Sequence, residues 1–169
     1  MRGDFILRYI LLLVAQMLIC NYFHVSPYLM LSILPAMVLC IPTRVNTALA
    51  MVIAFVTALC VDLLAEGVLG LNILALVPVA LCRRTICGFI FGEELIVRGE
   101  DFSTRKYGFA KVIFGIVLVQ IIFLAVYLYA DGAVVRPPLF SLERFGVSLL
   151  AGVLVSIPVV EILTPDDRK

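Results

Sequence analysis

Six stretches of the chain are apolar enough and long enough to read as membrane helices, and each ends in polar residues, Pro or Gly. They cover about 5–23, 28–41, 45–64, 68–82, 108–129 and 142–163. At 1.5 Å per residue the longer runs cross a hydrocarbon core of ~30 Å, and spans so poor in charge satisfy their backbone groups only as helices. The 28–41 run is short and carries Pro35 in its middle. A proline inside a membrane helix is tolerated when neighbours serve the freed carbonyl, so this pattern predicts a kinked helix rather than a break. In the fourth run, Arg83 and Arg84 interrupt an apolar pattern that resumes as far as Phe91. An arginine at mid-bilayer costs ~2.5–3.5 kcal/mol on insertion scales, so the cheaper reading ends this helix near Cys82 and lets both arginines snorkel to the headgroups. The stretch 92–107, with Glu93, Glu94, Arg98, Glu100, Asp101, Arg105 and Lys106, is the longest polar connection and a candidate docking surface. No internal repeat interrupts the order, and residues 1–169 read as a single all-α transmembrane domain.

Composition strengthens this picture. Hydrophobic residues make up 63% of the chain, well above the 45–50% typical of soluble domains, which points to a polytopic membrane protein. The five cysteines, at 20, 40, 60, 82 and 87, sit in or beside apolar runs without a Cys-x-x-Cys pair, and read as small packing residues rather than ligands or disulfides. The first run is too long for a signal-peptide core and no small-residue cleavage site follows it, so it is read as the first span. If six spans alternate sides, Arg2, Arg8, Arg44, Arg83, Arg84, Arg98, Arg105, Lys106, Lys111, Arg168 and Lys169 share one face of the membrane, and Arg136 and Arg144 the other. That bias places both termini and the 92–107 loop in the cytoplasm, in a multi-pass protein of the inner membrane.

The chain carries no phosphate loop, nucleophile elbow or His-rich metal set, so no catalytic residue, cofactor or metal is expected and an enzyme is not the favoured class. Its one histidine, His24, falls in an external turn. Asp62 is the group that needs explaining. Counting back in fours gives Ala58, Ala54 and Ala50, a row of small residues that lets another backbone approach closely. A negative charge near a helix carboxyl terminus opposes the macrodipole, but the short loop that follows returns the next helix amino terminus, with Asn72, to its side. A tie between helices, an exposed interfacial carboxylate and a proton or ion relay are the three readings. Ser148, Gly152 and Ser156 form a second small row, marking a close contact that is either internal or with a partner. Glu161 is expected at the depth of Arg83 and Arg84, as one half of an ion bridge.

One part of the pattern resembles a known family. Ile33-Leu34-Pro35, Ile41-Pro42, the run from Ala54 through Phe55, Leu59 and Asp62 to Leu64, and Gly70-Leu71-Asn72-Ile73-Leu74-Ala75 are similar to the core of the bacterial rod shape-determining protein MreD. That family has a Leu-Pro in its second helix, a Phe-x-x-Gly-Leu-x-x-Asp ending the third, and a Gly-Leu-His or Gly-Leu-Asn opening the fourth. Here Ala58 stands where the family usually has Gly. The resemblance implies a scaffold of the cell-wall elongation machinery (the elongasome) that maintains cell shape. Its partners would be an MreC-like protein, MreB filaments, and the RodA and transpeptidase synthases of peptidoglycan. It also implies a six-helix fold similar to the S components of ECF-type vitamin transporters, which keeps a small-molecule-binding component as the alternative, with no nucleic acid in either case.

Overall fold

The structure is a computed structural model, and it describes residues 3–22, 29–66, 68–92, 108–132 and 138–164. His24, the polar connection 93–107 and Arg136 lie outside the described residues. Among the described residues there are five long helices, α1 (Gly3–Tyr22), α3 (Thr47–Val61), α4 (Leu71–Phe91), α5 (Phe109–Ala130) and α6 (Pro138–Leu163), with a short α2 (Leu34–Leu39) between the first two. All five long ones are apolar and long enough to cross a membrane, α3 together with the turn that continues it. The chain is an all-helical, multi-pass membrane protein.

The second apolar run departs most from expectation. A helix over 28–41 with a kink at Pro35 is corrected to a non-helical stretch over 29–33 followed by the six-residue α2. Pro35 occupies the second position of α2, where a missing N–H is no loss because the first-turn amides have no intrahelical partner. A helix continued backwards would instead drive the proline ring into the carbonyl four residues earlier, that of Leu31. The proline therefore starts a helix here and does not bend one.

A second correction concerns α4, expected to end near Cys82. It runs unbroken to Phe91 and stops at Gly92, whose φ of +88° suits glycine alone. Arg83 is buried inside it and only Arg84 is exposed.

Consecutive long helices pack antiparallel, α3 on α4, α4 on α5 and α5 on α6, while α2 lies among them and touches all five. Every residue of α2 is buried, with Leu34, Ala36, Met37 and Val38 fully enclosed. Large apolar side chains instead cover the outside, such as Leu7, Leu11, Val52, Leu81, Leu150 and Leu154, an arrangement that suits hydrocarbon rather than water.

Several contacts fix the order of levels. Ile90 and Leu39 both meet Gly115, and Gln120 lies against Gly152. Arg8 donates to the carbonyl of Ile162, and the Arg144 guanidinium pairs with Asp131. The starts of α1 and α5 therefore share one end of the bundle with the finishes of α4 and α6. The π-helical turn after α3 lies at the opposite end.

Candidate functional site

Asp62 is where α3 becomes a π-helical turn, Asp62–Glu66. The wider turn directs Leu63 and Leu64 outward, 57% and 67% exposed, while Asp62 is fully buried. An exposed interfacial carboxylate is thereby ruled out. Oδ2 accepts the Gly70 N–H at 2.8 Å, and Oδ1 accepts the Asn72 N–H at 3.2 Å and the Asn72 Nδ2 donor at 2.8 Å. The amides at the start of α4 have no partners within their own helix, and here a carboxylate from the preceding helix takes them. The positive end of the α4 dipole favours the same charge. Gly70 makes the approach possible with φ of +100°, a conformation that side-chain-bearing residues rarely adopt. Ala50, Ala54 and Ala58, the row that leads to Asp62, are all fully buried, and α3 packs on α4.

A second polar constellation grips the non-helical stretch 29–33. The Gln16 amide of α1 bridges the positions on either side of Ser32: Nε2 donates to the Leu31 carbonyl at 3.3 Å, and Oε1 accepts the Ile33 N–H at 2.8 Å. A parallel neighbouring strand would make the same two bonds. On the other edge, Ser148 Oγ of α6 accepts the Met30 N–H at 2.9 Å, and Gln120 Nε2 of α5 donates to the Ser32 carbonyl at 3.3 Å. Side chains from three helices thus stand in for two strands. The Leu31 carbonyl held by Gln16 is also the one that Pro35, lacking an N–H, could never serve in a continuous helix. Irregular backbone of this kind is tolerated at membrane depth only when enclosed by protein.

The second small row belongs to this clasp. Ser148 supplies the bond to Met30, and a Cβ at Gly152 would overlap the Gln120 amide, so the absence of a side chain there makes room for it. Ser156 Oγ returns to the Gly152 carbonyl at 2.6 Å. All three residues are buried and serve internal packing.

Arg83 does not form the expected bridge with Glu161, which is exposed on α6. Its NH2 donates to the carbonyls of Ile41 and Pro42, the latter at 3.0 Å, just where α2 gives out. The Ile41 carbonyl lies past the end of α2, and the Pro42 carbonyl also accepts the Val45 N–H at 3.1 Å, so the guanidinium meets two acceptors at the negative end of the local dipoles. For Arg83, the cost that argued for an early end to α4 is met by backbone acceptors instead of by the headgroups, while Arg84 is exposed.

The chain matches no family profile, no curated protein and no solved structure.

Among the described residues, no three His, Cys, Asp or Glu side chains are placed to hold a metal ion. Chemically, the two constellations accept and donate hydrogen bonds to backbone: one joins α3 to α4, and the other binds the 29–33 stretch to α1, α5 and α6. Gln16 and Gln120 were not singled out in the sequence, although each is an uncharged polar residue in the middle of an apolar run. That cost was the signal that could have found them.

Proposed function

We propose that the chain is a six-pass scaffold of the MreD kind, residing in a bacterial inner membrane with both termini in the cytoplasm. In this reading it joins an MreC-like protein, MreB filaments and the RodA and transpeptidase synthases during wall elongation, and carries out no reaction of its own. The observation that carries the reading is the Asp62 junction. Three residues quoted for the resemblance, Asp62, Gly70 and Asn72, meet in one buried hydrogen-bonded group, which accounts for their types and spacing. The family's Leu-Pro corresponds to Leu34-Pro35, which opens the central α2.

Six passes require the 29–41 stretch to cross. Five non-helical residues and eight helical or turn-like ones reach at most about 28 Å at ~3.3 and ~1.5 Å per residue, close to the hydrocarbon thickness. Contacts along it shift steadily from Ser148 through Gln120 to Gly115, toward the start of α5, as a crossing segment requires. By the same resemblance a six-pass fold would be like that of the S components of vitamin transporters, which supplies the second reading.

Purification in mild detergent with quantitative mass spectrometry tests the function. Stoichiometric recovery of an MreC-like protein, with rounding of rod-shaped cells on depletion, is the expected outcome. Recovery of a stoichiometric vitamin with an energising partner, and unchanged cell shape, would replace the scaffold by the transporter component.

A further inference from the structure

A proline in a helix denies a hydrogen bond to the carbonyl four residues earlier, and inside a membrane that acceptor needs another donor. At Pro35 the chain supplies one, the Gln16 amide on the Leu31 carbonyl. At Pro158, α6 runs on unbroken and the Leu154 carbonyl loses its N–H partner. Ser156, the hydroxyl closest to it along α6, turns to the Gly152 carbonyl instead, and among the described residues no side chain donates to Leu154. Pro78 of α4 deprives the Leu74 carbonyl in the same way, but Pro78 is half-buried, whereas Leu154 and Pro158 are both exposed.

A helical carbonyl points along the axis between its own residue and the one four further on, so this acceptor lies on the outer side of α6. Counting in fours, Gly146, Leu150, Leu154 and Pro158 share that face. Leu150 and Leu154 are 70% and 68% exposed, and no atom stands within 4 Å of a would-be Cβ at Gly146. Leu154 precedes Leu163, the end of α6, by nine residues, or about 14 Å at 1.5 Å per residue. That depth is close to the middle of a hydrocarbon layer of ~30 Å, where lipid tails offer no donor. We infer that this face of α6 docks a transmembrane helix of a partner protein that carries a hydrogen-bond-donating side chain (Asn, Gln, Ser or Thr) at mid-membrane, with the Leu154 carbonyl as its acceptor. A two-fold copy of this chain does not supply the donor, because the same face would meet itself, acceptor against acceptor. The inference holds for the scaffold and for the transporter component alike, since it concerns the helix and not the role of the whole.

The test places the full chain in phosphatidylcholine vesicles with a fluorescent, lysine-flanked polyleucine transmembrane peptide at low peptide-to-lipid ratio. The peptide carries either one central Asn or leucine throughout, and energy transfer reads its association. The wild type should bind the Asn peptide about threefold more tightly than the all-leucine one, the factor of an average hydrogen bond between membrane helices. Pro158→Ala returns an N–H to the Leu154 carbonyl, so it should melt at or above the wild type and yet lose that preference. Leu154→Trp, which crowds the face, should weaken binding of the Asn peptide, and Leu11→Trp, on the exposed side of α1, should leave it unchanged. Equal binding of both peptides by the wild type would overturn the inference, as would a preference retained in Pro158→Ala. Self-association of the chain that Pro158→Ala abolishes, with no preference between peptides, would make a second copy the occupant and overturn it as well.

Discussion

Gln120 and Gly152 fit together as a side chain and the gap that receives it. The Gln120 amide occupies the space that a Cβ at position 152 would need, and from there it donates to the Ser32 carbonyl. Gly152→Ala must displace that amide and release a buried acceptor, at a cost of about 1–3 kcal/mol. Gly146, on the same helix, has no atom within 4 Å of its would-be Cβ. Thermal melts in detergent should therefore show Gly152→Ala clearly lowered and Gly146→Ala close to wild type.

Removing the Gln16 amide takes away a donor and an acceptor together. With Gln16→Leu, the Leu31 carbonyl and the Ile33 N–H are left inside an apolar bundle, and the loss should be about 2 kcal/mol or more. Hydrogen exchange at the Ile33 amide is the direct readout and should accelerate along with the fall in melting point. Protection of Ile33 as strong as in the wild type would mean that the clasp does not hold this stretch.

At Asp62, two substitutions separate hydrogen bonding from charge. Asparagine retains one carbonyl oxygen, so it can keep the bonds to Asn72 while its amide group faces the Gly70 N–H. Leucine keeps none of the three. Asp62→Asn should therefore lose about 1–2 kcal/mol and Asp62→Leu about 3 kcal/mol or more, read from unfolding in mild detergent. Equal losses would point to the charge itself as the stabilising feature, through the α4 dipole.

Arg83 and Glu161 should behave as unrelated residues. Arg83→Gln withdraws a charged donor from two backbone carbonyls and should lower stability by about 1–3 kcal/mol. Glu161→Gln should leave it within about 0.5 kcal/mol, as an exposed substitution ordinarily does. A double-mutant cycle should return no coupling between them, whereas a coupling above about 0.5 kcal/mol would restore the ion bridge.

Ser148 and Ser156 look alike in sequence, four residues either side of Gly152, but the 29–33 stretch uses only one of them. Ser148→Ala leaves the Met30 N–H without its acceptor and should cost about 1 kcal/mol or more. Ser156→Ala removes only a bond back to its own helix and should cost less, since such bonds add little to helix stability. Comparing the two melting points orders them.

The five long helices, the meeting of Asp62 with Asn72 and the enclosed Ala50, Ala54 and Ala58 row were legible in the sequence. Each follows from a local rule: a run of apolar residues must satisfy its backbone within itself, and small residues four apart share a face of one helix. The path of the 29–41 stretch was not legible in the same way. Apolar content alone does not distinguish helix from strand there, and whether Pro35 bends a helix or begins one depends on what else can serve the Leu31 and Ile33 backbone. The answer is Gln16, fifteen residues from Leu31, together with Gln120 and Ser148 from two helices far along the chain. Arg83 shows the same division: the sequence correctly priced a guanidinium in hydrocarbon, but only the folded chain places the Ile41 and Pro42 carbonyls where they remove that cost. By itself the sequence determined which segments avoid water. The tertiary structure decided where the polar exceptions are satisfied, because a buried hydrogen bond needs its partner within about 3 Å and that partner can come from anywhere in the chain.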